Sequence, residues 1–262
     1  MQRPYSGFAA IYDRIMRSIP YDAWADYIER VVTANGGRIT QVLDLACGTG
    51  NTLLPWARRG YRVTGLDISQ AMLAQAEAKL QAGRHQARLI CGDMATVDLP
   101  QQYDLITCLN DSINYLENAE ALARTVRNAF DGLIPGGWFV FDINSAYRLL
   151  NTPEDAIVID EEDLTLCWEN HYLPETGVLA VTLTGFVREG DLYRKFREVH
   201  HEKAFATDGI AELLRRTGFD VVGVFHAYTE EPARPDSKRI FFFARRRVSG
   251  SAATNAAAAQ GN

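Results

Sequence analysis

Four cysteines and five histidines among 262 residues leave little material for a metal centre or a disulfide scaffold. Cys47, Cys91, Cys108 and Cys167 show no C-x-x-C spacing and no flanking histidine, so no metal and no oxidised framework are expected. Each lies in an apolar run and reads as core filler. The chain also lacks an apolar stretch near 18 residues free of charge, and no signal-peptide pattern opens it; a cytoplasmic protein without membrane contact is the expectation. Excess positive charge is missing too. With 27 basic and 33 acidic residues the net charge is −6, which argues against a general attraction to nucleic acid or anionic lipid. The local basic cluster Lys238 to Arg247 brackets the apolar stretch Ile240 to Ala244 and reads as solvated strand ends. What the chain does have is 47% apolar residues, enough for the core of one α/β domain with an insertion.

Residues 42 to 50, Val-Leu-Asp-Leu-Ala-Cys-Gly-Thr-Gly, form an apolar run that ends in a glycine-rich turn, and Asp67 closes the next apolar run. Gly48 and Gly50 let the chain turn with no Cβ in the way, so backbone amides can approach a ligand above the first strand. A carboxylate at the tip of the neighbouring strand can accept hydrogen bonds from two ribose hydroxyls. Together these features point to a nucleoside-bearing cofactor. Leu53 stands where a dinucleotide fingerprint would place its third glycine, which disfavours an NAD(P)-dependent oxidoreductase.

Around the motif, apolar runs alternate with helical patterns: strands over 42–46, 61–66, 87–91, 103–108 and 137–142, and helices over 50–58, 69–81 and 118–131. That alternation predicts a parallel sheet with crossover helices. Ser69 is a candidate N-cap, and Gly60 and Gly83 fall where helices should stop. After Asp142 the rhythm changes to β-like segments at 157–160, 164–173, 178–189 and 191–204, which predict an inserted antiparallel sheet. A helix at 207–217 and two strands at 220–228 and 238–246 complete the pattern. The tail 249–262 is expected to be disordered.

Asp44 with Cys-Gly-Thr-Gly-Asn (47–51) resembles the glycine loop of class I S-adenosylmethionine (SAM) dependent methyltransferases. The likeness extends through Tyr12-Asp13, Tyr21-Asp22 with Trp24, Asp-Ser-Ile-Asn-Tyr-Leu (111–116), Pro-Gly-Gly-Trp-Phe-Val-Phe-Asp-Ile-Asn (135–144), Glu-Val-His-His (198–201) and Arg-Ile-Phe-Phe-Phe (239–243). These segments resemble a bacterial group of small-molecule methyltransferases, similar to sugar N,N-dimethyltransferases and, more distantly, to glycine N-methyltransferase. The resemblance implies an α/β fold: a Rossmann-like, seven-stranded doubly wound sheet with its last strand antiparallel, carrying a small antiparallel β subdomain. The expected division is a helical lid over 1–35, the SAM-binding domain over 36–145 and 206–248, and the insert over 146–205.

SAM asks for a different partner at each end, and the chain offers a candidate for each. Asp44 can hold the ammonium directly or through water, the turn residues Ala46, Gly48 and Gly50 admit the methionyl backbone, and Asp67 with neighbouring Ile68 receives the ribose. Asp93 can accept from the adenine amino group, Met94 can offer its amide to the ring, and Met72 can pack on the ring face. The loop after the fourth strand presents the Leu109 carbonyl and the Ser112 hydroxyl, with Asn110, Asp111, Asn114 and Tyr115 facing cofactor or substrate. The relatives imply Tyr12 and Trp24 beside the methionyl end. Methyl transfer from a sulfonium needs alignment more than a catalytic triad, but the acceptor must shed a proton, and His200 and Tyr115 are the candidate bases, with His171 and His201 behind them. The implied acceptor is a small molecule: an amine, an amino sugar or a natural-product hydroxyl. A SAM-fold protein that binds without catalysing is the other alternative, and the edges of the inserted sheet offer pairing to a second copy as a homodimer.

Overall fold

The computed structural model describes residues 7–99 and 103–248. Residues 1–6 of the expected helical lid and the tail 249–262 lie outside the described residues. In the first half of the chain the short apolar runs become parallel strands, because an element covered by helices on both faces must be apolar throughout. These are β1 (Gln41–Leu45), β2 (Arg62–Asp67), β3 (Ala87–Cys91), β4 (Tyr103–Cys108) and β5 (Leu133–Asn144). Two later strands, β10 (Phe219–His226) and β11 (Arg239–Arg246), extend the sheet to seven in the order β10-β11-β5-β4-β1-β2-β3. Only β11 is reversed: it pairs antiparallel with both β5 and β10. The chain leaves β1 towards β2 on one side and later fills β4 on the other. The crevice at the C-terminal ends of β1 and β4 is therefore the topological switch point, where such sheets hold ligands.

Side-chain caps set the crossover helices. The Ser69 hydroxyl accepts from the Met72 amide at the start of α4 (Gln70–Ala82), and Asn118 accepts from Ala121 at the start of α5 (Ala119–Gly132). Gly218, at φ 115°, ends α7 (Thr207–Thr217). Of the boundaries that differ from the sequence expectation, two lie at glycines. The glycine turn takes up the first residues of the helix that periodicity alone gives to 50–58, so α3 is only Leu54–Arg58. Gly83 caps α4 in a right-handed conformation, and Arg84, at φ 55°, makes the left-handed step.

The inserted segment folds as an antiparallel sheet of β6 (Ile157–Glu161), β7 (Leu164–Leu173), β8 (Val178–Glu189) and β9 (Leu192–Lys203), in that order. Period-two alternation turns Leu164, Leu166, Leu179, Val181, Leu183 and Phe196 inward. They pack against Phe8 and Ile11, at the start of α1 (Ala9–Ile15), and against Leu149 of α6 (Ala146–Leu150). Gly185 is required here: a Cβ at that position would come within 2.2 Å of the Phe196 ring. The second N-terminal helix, α2 (Tyr21–Ala34), buries Trp24, Tyr27, Ile28, Val31 and Val32 against Trp138, Phe241 and Phe243 of the large sheet. Among the described residues no helix is long and apolar enough to cross a membrane.

Candidate active site

A cavity of about 980 Å³ lies between the switch-point edge of the seven-stranded sheet and the inner face of the four-stranded one, with α1 along its side. The glycine turn forms one wall. Ala46, Gly48 and Gly50 all adopt positive φ, and on the side of Gly48 where a Cβ would stand there is open space. Gly50 lies behind the wall, packed on Ala76, and does not line the cavity.

Asp67 leaves the end of β2 beside this turn. Its Oδ2 accepts from the Gly48 amide at 2.8 Å and its Oδ1 from the Ser69 amide at 2.8 Å. Each carboxylate oxygen has a second lone pair, so the side chain is fixed in place and still able to accept from a diol. Burial raises its pKa, opposed by the two amide bonds. Asp93 lines the next stretch with Oδ1 held by the Ala95 amide, and Ile68, Met72 and Met94 supply apolar surface between the two carboxylates. This set fits an adenosyl group: two carboxylate lone pairs able to accept from a diol, apolar walls for a flat ring, and an acceptor for an exocyclic amine.

Asp44 does not line the cavity and does not join Asp67 and Asp93 at its wall. It is fully buried beneath the turn, its Oδ2 accepting from Thr52 Oγ1 at 2.5 Å and its Oδ1 from Thr107 Oγ1 at 2.7 Å. Trp24 is displaced as well. It stacks on Tyr228 at 5.4 Å in the core, and Tyr21, one turn earlier on α2, lines the cavity instead. Tyr12 lines the cavity, its hydroxyl accepting from Asn110 Nδ2 at 3.2 Å.

The loop after β4 is bent by two consecutive left-handed residues, Asn110 and Asp111. The bend is held from behind: Asp142 on β5 accepts from both of their amides, at 2.7 and 3.0 Å, and also from Arg239 on β11, which reaches Asp111 at 2.6 Å. Burial pushes the Asp111 carboxyl up, and the Arg239 guanidinium opposes that. Ser112 donates to the Leu109 carbonyl at 2.8 Å, so these two candidate cofactor contacts also serve each other. Tyr115 lines the cavity with its ring 6.1 Å from that of His200.

On β9 the even residues face inward, which brings Glu198, His200 and Glu202 to the cavity side while His201 is exposed. His200 Nε2 lies 3.3 Å from Glu198 Oε2, and Glu198 Oε1 accepts from the Gly7 and Phe8 amides. His171 points outward to Glu154. Further along α1, Asp13 accepts from Thr49 and Asn51 of the glycine turn and pairs with Lys79 at 2.7 Å. The N-terminal helix is therefore fastened to both sheets. Sequence reasoning assigned no role to Asp13, Tyr21, Asn144, Glu202 or Arg239. Only their presence inside the resemblance segments hinted at Asp13, Tyr21, Asn144 and Arg239, and nothing local marks Glu202. Among the described residues no cluster of metal-ligating side chains occurs.

Comparison with known proteins gives a consistent result. Residues 42–137 match the family described as a methyltransferase domain. The chain is 30% identical over 243 residues to the protein named "Putative methyltransferase YqeM" of Bacillus subtilis (strain 168), covering 92% of this chain and 97% of that one. The crystal structure of an S-adenosylmethionine-dependent methyltransferase from Clostridium acetobutylicum ATCC 824 is similar with a TM-score of 0.83 at 29% identity, covering 94% of this chain and 100% of that one. The sugar N-methyltransferase KedS8 from Streptoalloteichus sp ATCC 53650 is similar with a TM-score of 0.75 at 27% identity, over 90% and 93% of the two chains.

Proposed function

The chain belongs to the S-adenosylmethionine-dependent methyltransferases, and from that premise we propose that it methylates a small-molecule amine, amino sugar or natural-product hydroxyl seated against the four-stranded sheet. One observation carries this reading: a single cavity of about 980 Å³ reaches from Asp67 and Asp93 to His200 and Glu202. Its size is at the top of the range of about 300–1,000 Å³ for small-molecule sites, which suits two ligands side by side. The likeness to a sugar N-methyltransferase supports the acceptor class.

When bound, SAM supplies an activated methyl group on a sulfur that leaves as a neutral thioether. The rest is the work of the chain. Asp67 accepts from the ribose hydroxyls, Asp93 from the adenine amino group, and Ile68, Met72 and Met94 cover the ring. Ala46 and Gly48 let the backbone close on the methionyl part, with Leu109, Ser112 and the Tyr12 phenol nearby. The four-stranded sheet, α1 and α6 surround the acceptor with Leu149, Leu179, Val181 and Leu183 and so exclude water from the reacting end. His200, beside Glu198, and Tyr115 receive the proton that the acceptor gives up, a reading supported by their contact across the cavity.

The test has two arms. In a thermal-shift measurement SAM should stabilise the protein and NAD should not; the reverse result would favour an oxidoreductase. With a panel of amines and alcohols, S-adenosylhomocysteine should accumulate, and His200→Gln should lower that rate by about 10²-fold or more without weakening cofactor binding. Cofactor binding with no turnover on any acceptor would point to a silent binding protein.

A further inference from the structure

Cross-strand pairing sorts the inner face of the four-stranded sheet into rows: Tyr172, Leu179 and Glu202; Asn170, Val181 and His200; Trp168, Leu183 and Glu198. The middle strand gives an apolar floor, and β9 gives a polar border along one side. Two of the border residues have work within the fold, since Glu198 takes the amides before α1 and faces His200. Glu202 differs. It is only 7% exposed, its Oε2 accepts from Asn144 Nδ2 at 2.8 Å, and its Oε1 has no hydrogen-bond partner among the described residues while the side chain lines the cavity.

The support behind Glu202 is rigid. The Asn144 amide donates to Asn114 Oδ1 at 2.9 Å, and the Asn144 carbonyl accepts from Asn114 Nδ2 at 3.0 Å, so the residue that holds the carboxylate is itself held on both sides. A buried carboxylate is costly unless a cation or several donors meet it. Among the described residues no lysine or arginine forms an ion pair with it: Arg239 is engaged by Asp111 and Asp142, and Arg148 stays half-exposed at the rim near exposed Arg124 and Lys238. Burial accordingly raises the Glu202 pKa, with Asn144 and the more distant Arg239, Arg148 and His200 pulling it back.

We propose that Glu202 is the docking group for a cationic amine on the acceptor, with Oε1 as the contact atom and the apolar floor of β8 under the carbon skeleton. This rests on the methyltransferase reading above and narrows it from amines and hydroxyls to basic amines. A hydroxyl would leave the buried charge uncompensated, whereas an ammonium group offers both the opposite charge and the hydrogen-bond donor that Oε1 lacks. Glu202 thus acts as a specificity-determining residue.

The test titrates matched pairs, cyclohexylamine against cyclohexanol and glucosamine against glucose, into protein saturated with S-adenosylhomocysteine, using calorimetry. In at least one pair the amine should bind at least about tenfold more tightly than its hydroxyl partner. Glu202→Gln should abolish that preference, and Glu202→Asp should keep part of it, while both variants bind S-adenosylhomocysteine within about twofold of the parent. Equal binding of amines and alcohols, binding of neither, or an amine preference that survives Glu202→Gln would overturn the assignment. If the parent protein does not bind S-adenosylhomocysteine at all, the cofactor reading fails first, and this assignment falls with it.

Discussion

Replacing Asp44 by asparagine should remove a pH-dependent weakness in the protein's stability. The carboxylate is fully buried under the glycine turn and accepts from two threonine hydroxyls, yet burial outweighs those bonds and lifts its pKa to about 6 from the ordinary 3.8. The folded chain therefore keeps this proton up to about pH 6, whereas the unfolded chain loses it near pH 4. Between those values the folded state binds more protons, so the stability associated with this site is complete below about pH 4 and is lost as the pH rises through about 6. The gap of roughly 2 pH units, at about 1.4 kcal/mol each, amounts to about 3 kcal/mol. An asparagine has the same shape, accepts from one threonine, donates to the other and carries no charge. Urea unfolding of the cofactor-free parent and Asp44→Asn should then show a stability difference that moves in favour of the variant by up to about 3 kcal/mol between pH 4 and pH 7. A difference that stays flat over that range would mean that the carboxylate ionises normally, and the reasoning would be refuted.

Three further outcomes follow from the packing around the site. Gly65→Val on β2 would force a Cβ to within 2.7 Å of Cys47 Sγ and 3.0 Å of Leu53, and should cost about 1–3 kcal/mol in thermal or urea unfolding; an unchanged midpoint would contradict that. Asp13→Ala frees Thr49, Asn51 and Lys79, so amide exchange over residues 9–15 should quicken, while global stability falls by no more than about 1 kcal/mol because the ion pair is partly solvated; unchanged exchange would show that α1 is held by its apolar face alone. Trp24→Phe should lower stability and leave S-adenosylhomocysteine affinity within about twofold, since the indole stacks on Tyr228 outside the cavity; a tenfold loss, about 1.4 kcal/mol, would return it to the cofactor site.

The strands of the seven-stranded sheet were readable because burial on both faces leaves near-continuous apolar runs, and the positions of Asp67 and Asp93 at the cavity were readable because adjacent parallel strands end at one edge. The inserted sheet was equally plain, since one-sided burial imposes period-two alternation on β7, β8 and β9. The burial of Asp44 was not legible, because a position near the end of a strand does not reveal which way the side chain turns; here it turns under the glycine loop and accepts from Thr52 and Thr107. Tyr21 and Trp24 lie three residues apart on α2, with rings 5.2 Å from each other, so helical period alone cannot say which one meets the ligand. Glu202 and Arg239 were invisible for a different reason. Their roles depend on Asn144, Asp142 and Asp111, which only the folded sheets bring alongside them.

The central claim is that Asp67, fixed by the Gly48 and Ser69 amides, receives the ribose of the adenosyl cofactor. Calorimetric titration of S-adenosylhomocysteine into the parent protein and Asp67→Ala, with melting curves to verify folding, tests it most directly. The expected result is saturable binding by the parent and a loss of about 1–3 kcal/mol in the variant, the worth of charge-assisted hydrogen bonds. Equal affinities in two folded proteins would contradict it.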